Sequence, residues 1–388
     1  MTRIYLDNAA TSWPKPESVY QTVDQFQRQL GAPAGRGGYA QAMEVDRRLQ
    51  QVRVALASLL DAPSSDRILF TYSGTDSLNL ALCGGLLAPG DHVVTTVCEH
   101  NSVLRPLKRM EQQLGLQITY VDCDPEGHVR AEAILNEVHD QTRLVAITHA
   151  SNVTGAIQPV AEVCLPLLEH PAVTLVDAAQ TVGHLPISVQ QMGCDLLAAP
   201  GHKGLLGPTG TGFLYVAPGR EQDVPPWRIG GTGTSSESDE PPLNLPSAYE
   251  AGNQNVGGLL GVGAGIQFLQ EQGLPTLQQR QHRLCKQLID ALQQLEQVTV
   301  FGPPSHSVER LPLVCFQVHG LSPQDVAILL EQIGSIQVRA GYHCAPRMHQ
   351  TLKTDTMGGT VRISLGPFST ESDIVATVDA VGQLVKLN

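Results

Sequence analysis

No stretch of this chain stays apolar for the roughly 18 residues that a membrane-crossing helix needs, so no membrane partner is expected. Basic residues are scarce: 25 Lys and Arg stand against 37 Asp and Glu, a formal net charge of −12 with a pI of about 5.5. That balance argues against nucleic acid as a partner, because phosphate backbones are held by basic faces. The eight cysteines are Cys83, Cys98, Cys123, Cys164, Cys194, Cys285, Cys315 and Cys344, and none forms a C-x-x-C pair. Zinc ribbons and thioredoxin-type motifs are thereby excluded, and most of these thiols read as small buried hydrophobes. No ligand cluster has metal-site spacing. No G-x-G-x-x-G follows an early strand, which disfavours a nicotinamide-dependent enzyme. Repeats and low-complexity tracts are absent. The opening "MTRIYLDNAATSWPKP" has no apolar core of signal-peptide length and carries an early acid; a cytoplasmic location is the expectation.

What is present is a chain of 388 residues, 42% hydrophobic, long enough for two domains or for one large domain with a satellite. From about residue 48 to 216 helical and strand-like segments alternate. "RRLQQVRVALASLL" and "DSLNLALCGGLL" have helical periodicity. "RILFTY", "DHVVTTV", "LQITYVD", "RLVAITHASN", "VTLVDAAQ", "DLLAAP" and "TGFLYV" read as strands. Such alternation predicts a mainly parallel sheet covered by helices on both faces. A polar span, "PPWRIGGTGTSSESDEPP", interrupts the pattern as a long loop. After it come two helices, "NVGGLLGVGAGIQFLQEQG" and "TLQQRQHRLCKQLIDALQQL". The strands "VTVFG", "LVCFQV", "IQVRAG" and "TVRISLG" then complete an α+β region from about residue 275.

Three turns carry chemistry. In "TYSGTDSLN" a strand ends at Tyr72 and a helix begins near Asp76. The backbone N–H groups there, at Gly74 and its neighbours, form an anion site with the Ser73 and Thr75 hydroxyls, or an ordinary N-cap. In "VTLVDAAQ" Asp177 ends an apolar strand, where parallel sheets bind ligands, and Gln180 lies one short turn later; a helix-capping Asp is the plain alternative. In "AAPGHKGLLGPTGTGFLYV" Lys203 follows a histidine in a glycine-rich turn between apolar segments. Desolvation there lowers a lysine's pKa and makes it nucleophilic toward carbonyls. The alternative is a phosphate-gripping lysine, although the P-loop order is absent. Together these are the parts of a pyridoxal-phosphate site: a lysine for the Schiff base, an acid for the pyridinium nitrogen and a helix start for the phosphate. Near the end of the chain, "VRAGYHCAPR" sets Cys344 after a histidine and between two arginines, company that favours a thiolate.

The chain resembles the class V aminotransferase-fold enzymes, and among them the group II cysteine desulfurases and selenocysteine lyases. "GHKGLLGPTGTGFLYV" and "VRAGYHCA" carry the resemblance most specifically, with "SNVTGAIQP" and "YEAGNQN" beside them, and it runs from "YLDNAATSWPKP" to "VRISLGPFST". It implies the pyridoxal-phosphate fold type I, an α/β fold like that of aspartate aminotransferase. A large domain with a mainly parallel seven-stranded sheet would span 16–255. A small α+β domain would combine 1–15 with 256–388.

The resemblance also implies roles. Lys203 would carry pyridoxal 5'-phosphate and move the substrate's α-proton. Asp177 would bind the ring nitrogen, Gln180 the phenolic oxygen, and His100 would stack on the ring; without the family a surface histidine would be the plainer reading of His100. Asn152 would hold the ring side and the substrate. Gly74, Thr75 and His202 would contact the phosphate. Arg362 would pair with the substrate carboxylate as a bidentate fork, with Arg339 beside it. Cys344 would take sulfur from L-cysteine as a persulfide and leave L-alanine, its thiolate favoured by His343, Arg339 and Arg347. Selenocysteine lysis, with L-selenocysteine as substrate, or direct cysteine/cystine C–S lysis is the alternative. A homodimer and a sulfur-acceptor protein are the implied partners.

The chain also departs from the family. "SGTDSLN" is one residue shorter than the usual phosphate turn. Pro200 stands where many desulfurases have serine, Asn253 where threonine is common, and Tyr342 where histidine is frequent. Thr232 or Thr234 of "IGGTGTSSES" would take over a phosphate contact across a dimer interface.

Overall fold

The computed structural model describes residues 3–35, 37–233, 238–240 and 242–387. After β1 (Ile4–Tyr5) come β2 (Ile68–Thr71), β3 (His92–Thr96), β4 (Gln117–Val121), β5 (Thr142–Thr148), β6 (Val173–Asp177), β7 (Leu196–Pro200) and β8 (Gly212–Val216). The last seven form one sheet in the order β2-β8-β7-β6-β5-β3-β4. Only β8 runs antiparallel to its neighbours; the remaining pairs are parallel. The expected mainly parallel seven-stranded sheet is therefore present.

The strands are apolar without polar alternation because both faces are covered. Successive residues still point to opposite sides. Val94, Val145, Ile147, Val176 and Leu197 join one core, while Val93, Leu144, Ala146, Leu175 and Leu196 join the other. Helix α1 (Glu17–Gln25) and helix α2 (Ala40–Leu59) lie on the first side, and Val45, Leu49, Val52 and Leu56 of α2 enter its core. Helix α3 (Gly74–Cys83) and helix α4 (Asn101–Leu114) cover the second face with Leu78, Leu82, Val103 and Leu107. The helix Val256–Gln272 also packs on the first face, burying Leu259, Leu260, Val262 and Ile266 there. Its apolar residues are spent on the large sheet.

The rest builds around β9 (Val298–Phe301), β10 (Leu313–Val318), β11 (Ile336–Gln337), β12 (Arg339–Gly341) and β13 (Thr360–Ser364). Four of these form an antiparallel sheet, β12-β13-β10-β9, and β1 pairs with β11 in parallel. A third core joins Leu6 of the N-terminal segment to Leu284, Leu288, Phe316, Ile363 and Val381. The run "IQVRAG" is split at Val338 between two sheets. The carboxyl ends of β3, β5, β6 and β7 face one crevice, the ligand position of open α/β sheets.

Candidate active site

Two parallel strands place a polar residue at or just past their carboxyl ends. Asp177 is the last residue of β6 and is buried. Its Oδ1 accepts the Ala179 N–H at 2.9 Å. Burial raises its pKa, against that hydrogen bond and the Lys203 charge. Lys203 lies three residues past β7. Burial pushes its amine down to about 8, with Asp177 opposing the shift and the Arg362 and Arg339 charges adding to it.

His100 caps helix α4. Its Nδ1 accepts the Ser102 N–H at 3.0 Å, and an accepting Nδ1 leaves the ring proton on Nε2. Burial and the surrounding cations, Lys203 first among them, bring its pKa to about 4, so the ring is neutral. Ser102 Oγ lies 2.9 Å from that Nδ1 and 2.7 Å from Thr75 Oγ1, which ties the start of α4 to the start of α3. There Ser73 caps Asp76 N–H at 3.1 Å, so the N-cap and the open helix start coexist. A Cβ on Gly74 would meet Pro200 Cδ at 3.0 Å and its nitrogen at 3.3 Å. The glycine lets α3 approach the end of β7.

A cavity of about 80 Å³ gathers Gly74, Thr75, His100, Asn152, Asp177, Gln180, His202 and Lys203 along its wall. Eight residues expected to surround a cofactor thus share one space. His202 keeps a buried Nδ1 without a partner, and burial lowers its pKa to about 4. Gln180 Nε2 donates to Ala9 O at 3.1 Å.

Cys344 lines a larger neighbouring cavity of about 660 Å³, which shares Thr75, His100 and Ser102 with the first. The turn bearing it has positive φ at His343 (47°) and Cys344 (62°), an unusual conformation for residues with a Cβ. It is held by Asn101 N–H donating to Cys344 O at 2.7 Å and by Asn152 Nδ2 donating to His343 O at 2.5 Å.

Of the three cations expected beside the thiol, Arg339 alone reaches it, with Nη2 at 3.3 Å from Sγ. His343 is turned inward onto Thr360 Oγ1 at 3.0 Å, and burial drives its pKa well below the usual value, so it bears no charge. Arg347 lies over the Tyr120 ring, 3.5 Å from its centroid. Arg362 lines neither cavity. It stands behind Asn152, with Nη1 donating to Asn152 O at 3.0 Å and Nη2 to Asp7 Oδ1 at 2.8 Å, while Nε is buried without a partner. Thr232 is half-buried and lines neither cavity; Thr234 lies outside the described residues.

Sequence reasoning missed Ser102, Asp7 and Glu99. Glu99 is fully buried. Its Oε1 accepts Thr96 Oγ1 at 2.7 Å and Thr148 N–H at 2.9 Å, and its Oε2 has no partner. Burial raises its pKa to about 8. Its place immediately before His100 was the available signal. Among the described residues no group of three His, Cys, Asp or Glu is arranged to hold a metal.

The lining suits a planar, anionic aldehyde cofactor. It offers a lysine amine of lowered pKa, a buried carboxylate with a free oxygen, an unpartnered imidazole nitrogen and a glycine-opened helix start. The sequence model of the aminotransferase class-V family matches residues 4–376, and the chain belongs to that family. Membership implies pyridoxal phosphate as the cofactor. Within the family the chain is similar to the cysteine desulfurases. It is 32% identical to the cysteine desulfurase of Yersinia pseudotuberculosis serotype IB over 99% of this chain and 94% of that one. The apo structure of cysteine desulfurase from Thermococcus onnurineus NA1 superposes with a TM-score of 0.93 at 33% identity, covering 100% of this chain and 95% of that one. The cysteine desulfurase CsdA (S-sulfonic acid) of Escherichia coli gives 0.88 at 30% identity, over 99% and 94%.

Proposed function

We propose that this protein is a pyridoxal-phosphate-dependent cysteine desulfurase that takes sulfur from L-cysteine onto Cys344 and releases L-alanine. The observation that carries the reading is the placement of Cys344. A thiol with Arg339 at 3.3 Å lines a cavity that shares His100, Thr75 and Ser102 with the cavity of Lys203 and Asp177. Arg339 offers a hydrogen bond to that sulfur, in the wall of the larger cavity.

Lys203, Asp177, Gln180, His100, Asn152, Gly74, Thr75 and His202 would hold the cofactor, which when bound supplies an electron sink for the substrate's α-carbon. Asp177 sets a carboxyl group at the end of β6. Gln180 and Asn152 offer amides along the wall, and neutral His100 presents a flat face. Lys203 has a pKa near the working pH, which suits an amine that takes and returns a proton. Arg362 would orient the substrate carboxylate, with Arg339 beside it at the thiol. In the transfer itself the Cys344 thiolate attacks the substrate sulfur. The new S–S bond forms as the C–S bond breaks, and the bonding pair stays on carbon, which takes a proton and leaves as the methyl group of alanine.

The proposal includes a second copy of the chain. The outer cavity is open and has Trp227 in its wall, and Ile229 and Leu243 on the same segment are 75% and 92% exposed; apolar exposure beside a site suits an interface. It also includes a sulfur-acceptor protein, a cytoplasmic location, and a division into a cofactor-binding unit of 16–255 and a smaller unit of 1–15 with 256–388, the helix Val256–Gln272 leading from one to the other.

The test is mass spectrometry after exposure to L-cysteine. A gain of one sulfur on the peptide containing Cys344 is expected. Cys344→Ala is expected to keep the cofactor's visible band and lose at least about a hundredfold in alanine formation, the scale for removing a nucleophile. Pyruvate and ammonia in place of alanine would point to direct C–S lysis, and full turnover by Cys344→Ala would remove the persulfide.

A further inference from the structure

One short segment near the start of the chain touches functional residues from three different elements. Asp7 pairs with Arg362 of β13 at 2.8 Å. Ala9 O accepts from Gln180, which follows β6, at 3.1 Å. The carbonyl of His202, one peptide before Lys203, accepts from Ser12 N–H at 3.0 Å, Ser12 Oγ at 3.1 Å, Thr11 Oγ1 at 3.2 Å and Lys15 Nζ at 3.3 Å. Four donors on one carbonyl leave that turn little freedom. Lys15 is further bound to Ser12 O and Ser12 Oγ, each at 2.8 Å.

The other end of this segment governs a buried charge. Arg362 is 1% exposed. Nη1 is committed to Asn152 O and Nη2 to Asp7, while Nε has no partner. A guanidinium carries five N–H donors in a rigid plane, so two bonds from different sides fix that plane and leave donors for one more carboxylate. A buried cation without a counter-ion is costly, and Asp7 is the one carboxylate paired with Arg362 among the described residues.

We propose that Asp7 is a positioning residue that sets the plane of Arg362 for an amino-acid carboxylate. It acts from a strap, Asp7–Lys15, whose far end is fastened to the turn of Lys203. This rests on the proposed role of Arg362 as the carboxylate fork. The strap places the carboxylate fork and the lysine turn in one frame, so the ligand gains only if it carries a carboxylate at the right distance from its amine.

The experiment uses the holoenzyme and measures binding without turnover. L-alanine and L-alaninamide are titrated, and the response of the cofactor's visible band gives each Kd. Asp7→Asn, which keeps the shape and loses the charge, is expected to weaken L-alanine about tenfold, the scale of one charge-assisted hydrogen bond, and to leave L-alaninamide within about twofold. Asp7→Ala is expected to weaken L-alanine further; should it fail to fold, Asp7→Asn decides alone. An unchanged L-alanine Kd in Asp7→Asn overturns the proposal. So does equal weakening of acid and amide, which marks a general structural effect. If the unaltered holoenzyme shows no response to L-alanine, the amino-acid site falls and this inference with it. A response there without an Asp7 effect removes the inference alone.

Discussion

Three histidines beside the two cavities use their rings differently. His100 spends Nδ1 on the amide of Ser102, so its tautomer is set by a helix cap. His202 leaves Nδ1 buried and unpartnered, ready for an acceptor or an acid from outside the protein. His343 faces Thr360 and lends nothing to the adjacent thiol. The sequence "GYHC" suggests a histidine–cysteine partnership, yet adjacent residues in a turn of positive φ point apart, and backbone angles of that kind are not legible in a string of letters.

Glu99 gives the residue-scale prediction. Its carboxyl has an ordinary value of 4.5 when unfolded and about 8 in the fold. Below pH 4.5 it is protonated in both states, and its contribution to stability is fully present. Between 4.5 and 8 the unfolded chain gives up the proton and the folded one keeps it, so the contribution is lost as pH rises to about 8. Glu99→Gln keeps an acceptor for Thr96 and Thr148 and removes the proton. Urea unfolding at pH 5, 6, 7 and 8 should therefore show the variant gaining on the parent with each step. The comparison cancels the histidines, which titrate in both proteins. A constant difference across that range would place the buried proton elsewhere.

At the scale of elements, the seven strands of the large sheet were legible because apolar runs of four to seven residues ended in glycine or polar turns. The helix Val256–Gln272 was legible as a helix, but its partner was not. Glycines at every few positions and a nearly all-round apolar surface say that it is buried, not against what. It lies close to α1 and α2, where a Cβ on Gly257 would meet Phe26 Cδ1 at 2.8 Å and one on Gly263 would meet Val52 Cγ2 at 2.7 Å.

The link from α2 to the segment before that helix is a buried ion pair. Arg53 Nη1 and Nη2 bind Glu250 at 2.7 and 2.9 Å, Phe70 N–H donates to the same carboxylate at 2.7 Å, and the guanidinium lies 4.1 Å from the Phe70 ring centroid. Removing one partner strands the other. Arg53→Met is expected to cost about 3–5 kcal/mol in urea unfolding, and the double variant with Glu250→Gln less than the sum of the two singles. Additive losses would mean that the pair is not coupled.

For the molecule as a whole, the pieces come from distant parts of the sequence: Asp7 and Arg362 are in contact, and so are Asn152 and His343. Lys203, Asp177 and Gln180, which share the inner cavity, could be singled out from sequence because strand ends announce themselves. The contacts that cross from the small unit could not, since no local pattern encodes which arginine meets which acid. The proposed second copy of the chain makes the whole-molecule prediction. Ile229→Asp puts a charge on an exposed apolar position of the segment that carries Trp227. It is expected to shift sedimentation from two copies toward one and to lower turnover in the same proportion. Dimeric behaviour unchanged by this substitution would move the interface to another face.

The carbonyl of Cys344 is latched to the first amide of α4, the helix whose cap is His100. Displacing the thiol's turn breaks that hydrogen bond. Loosening it frees the beginning of α4 and with it the imidazole over the inner pocket. The thiol's turn and the imidazole over the inner pocket therefore share one fastening, a single hydrogen bond between Asn101 and Cys344.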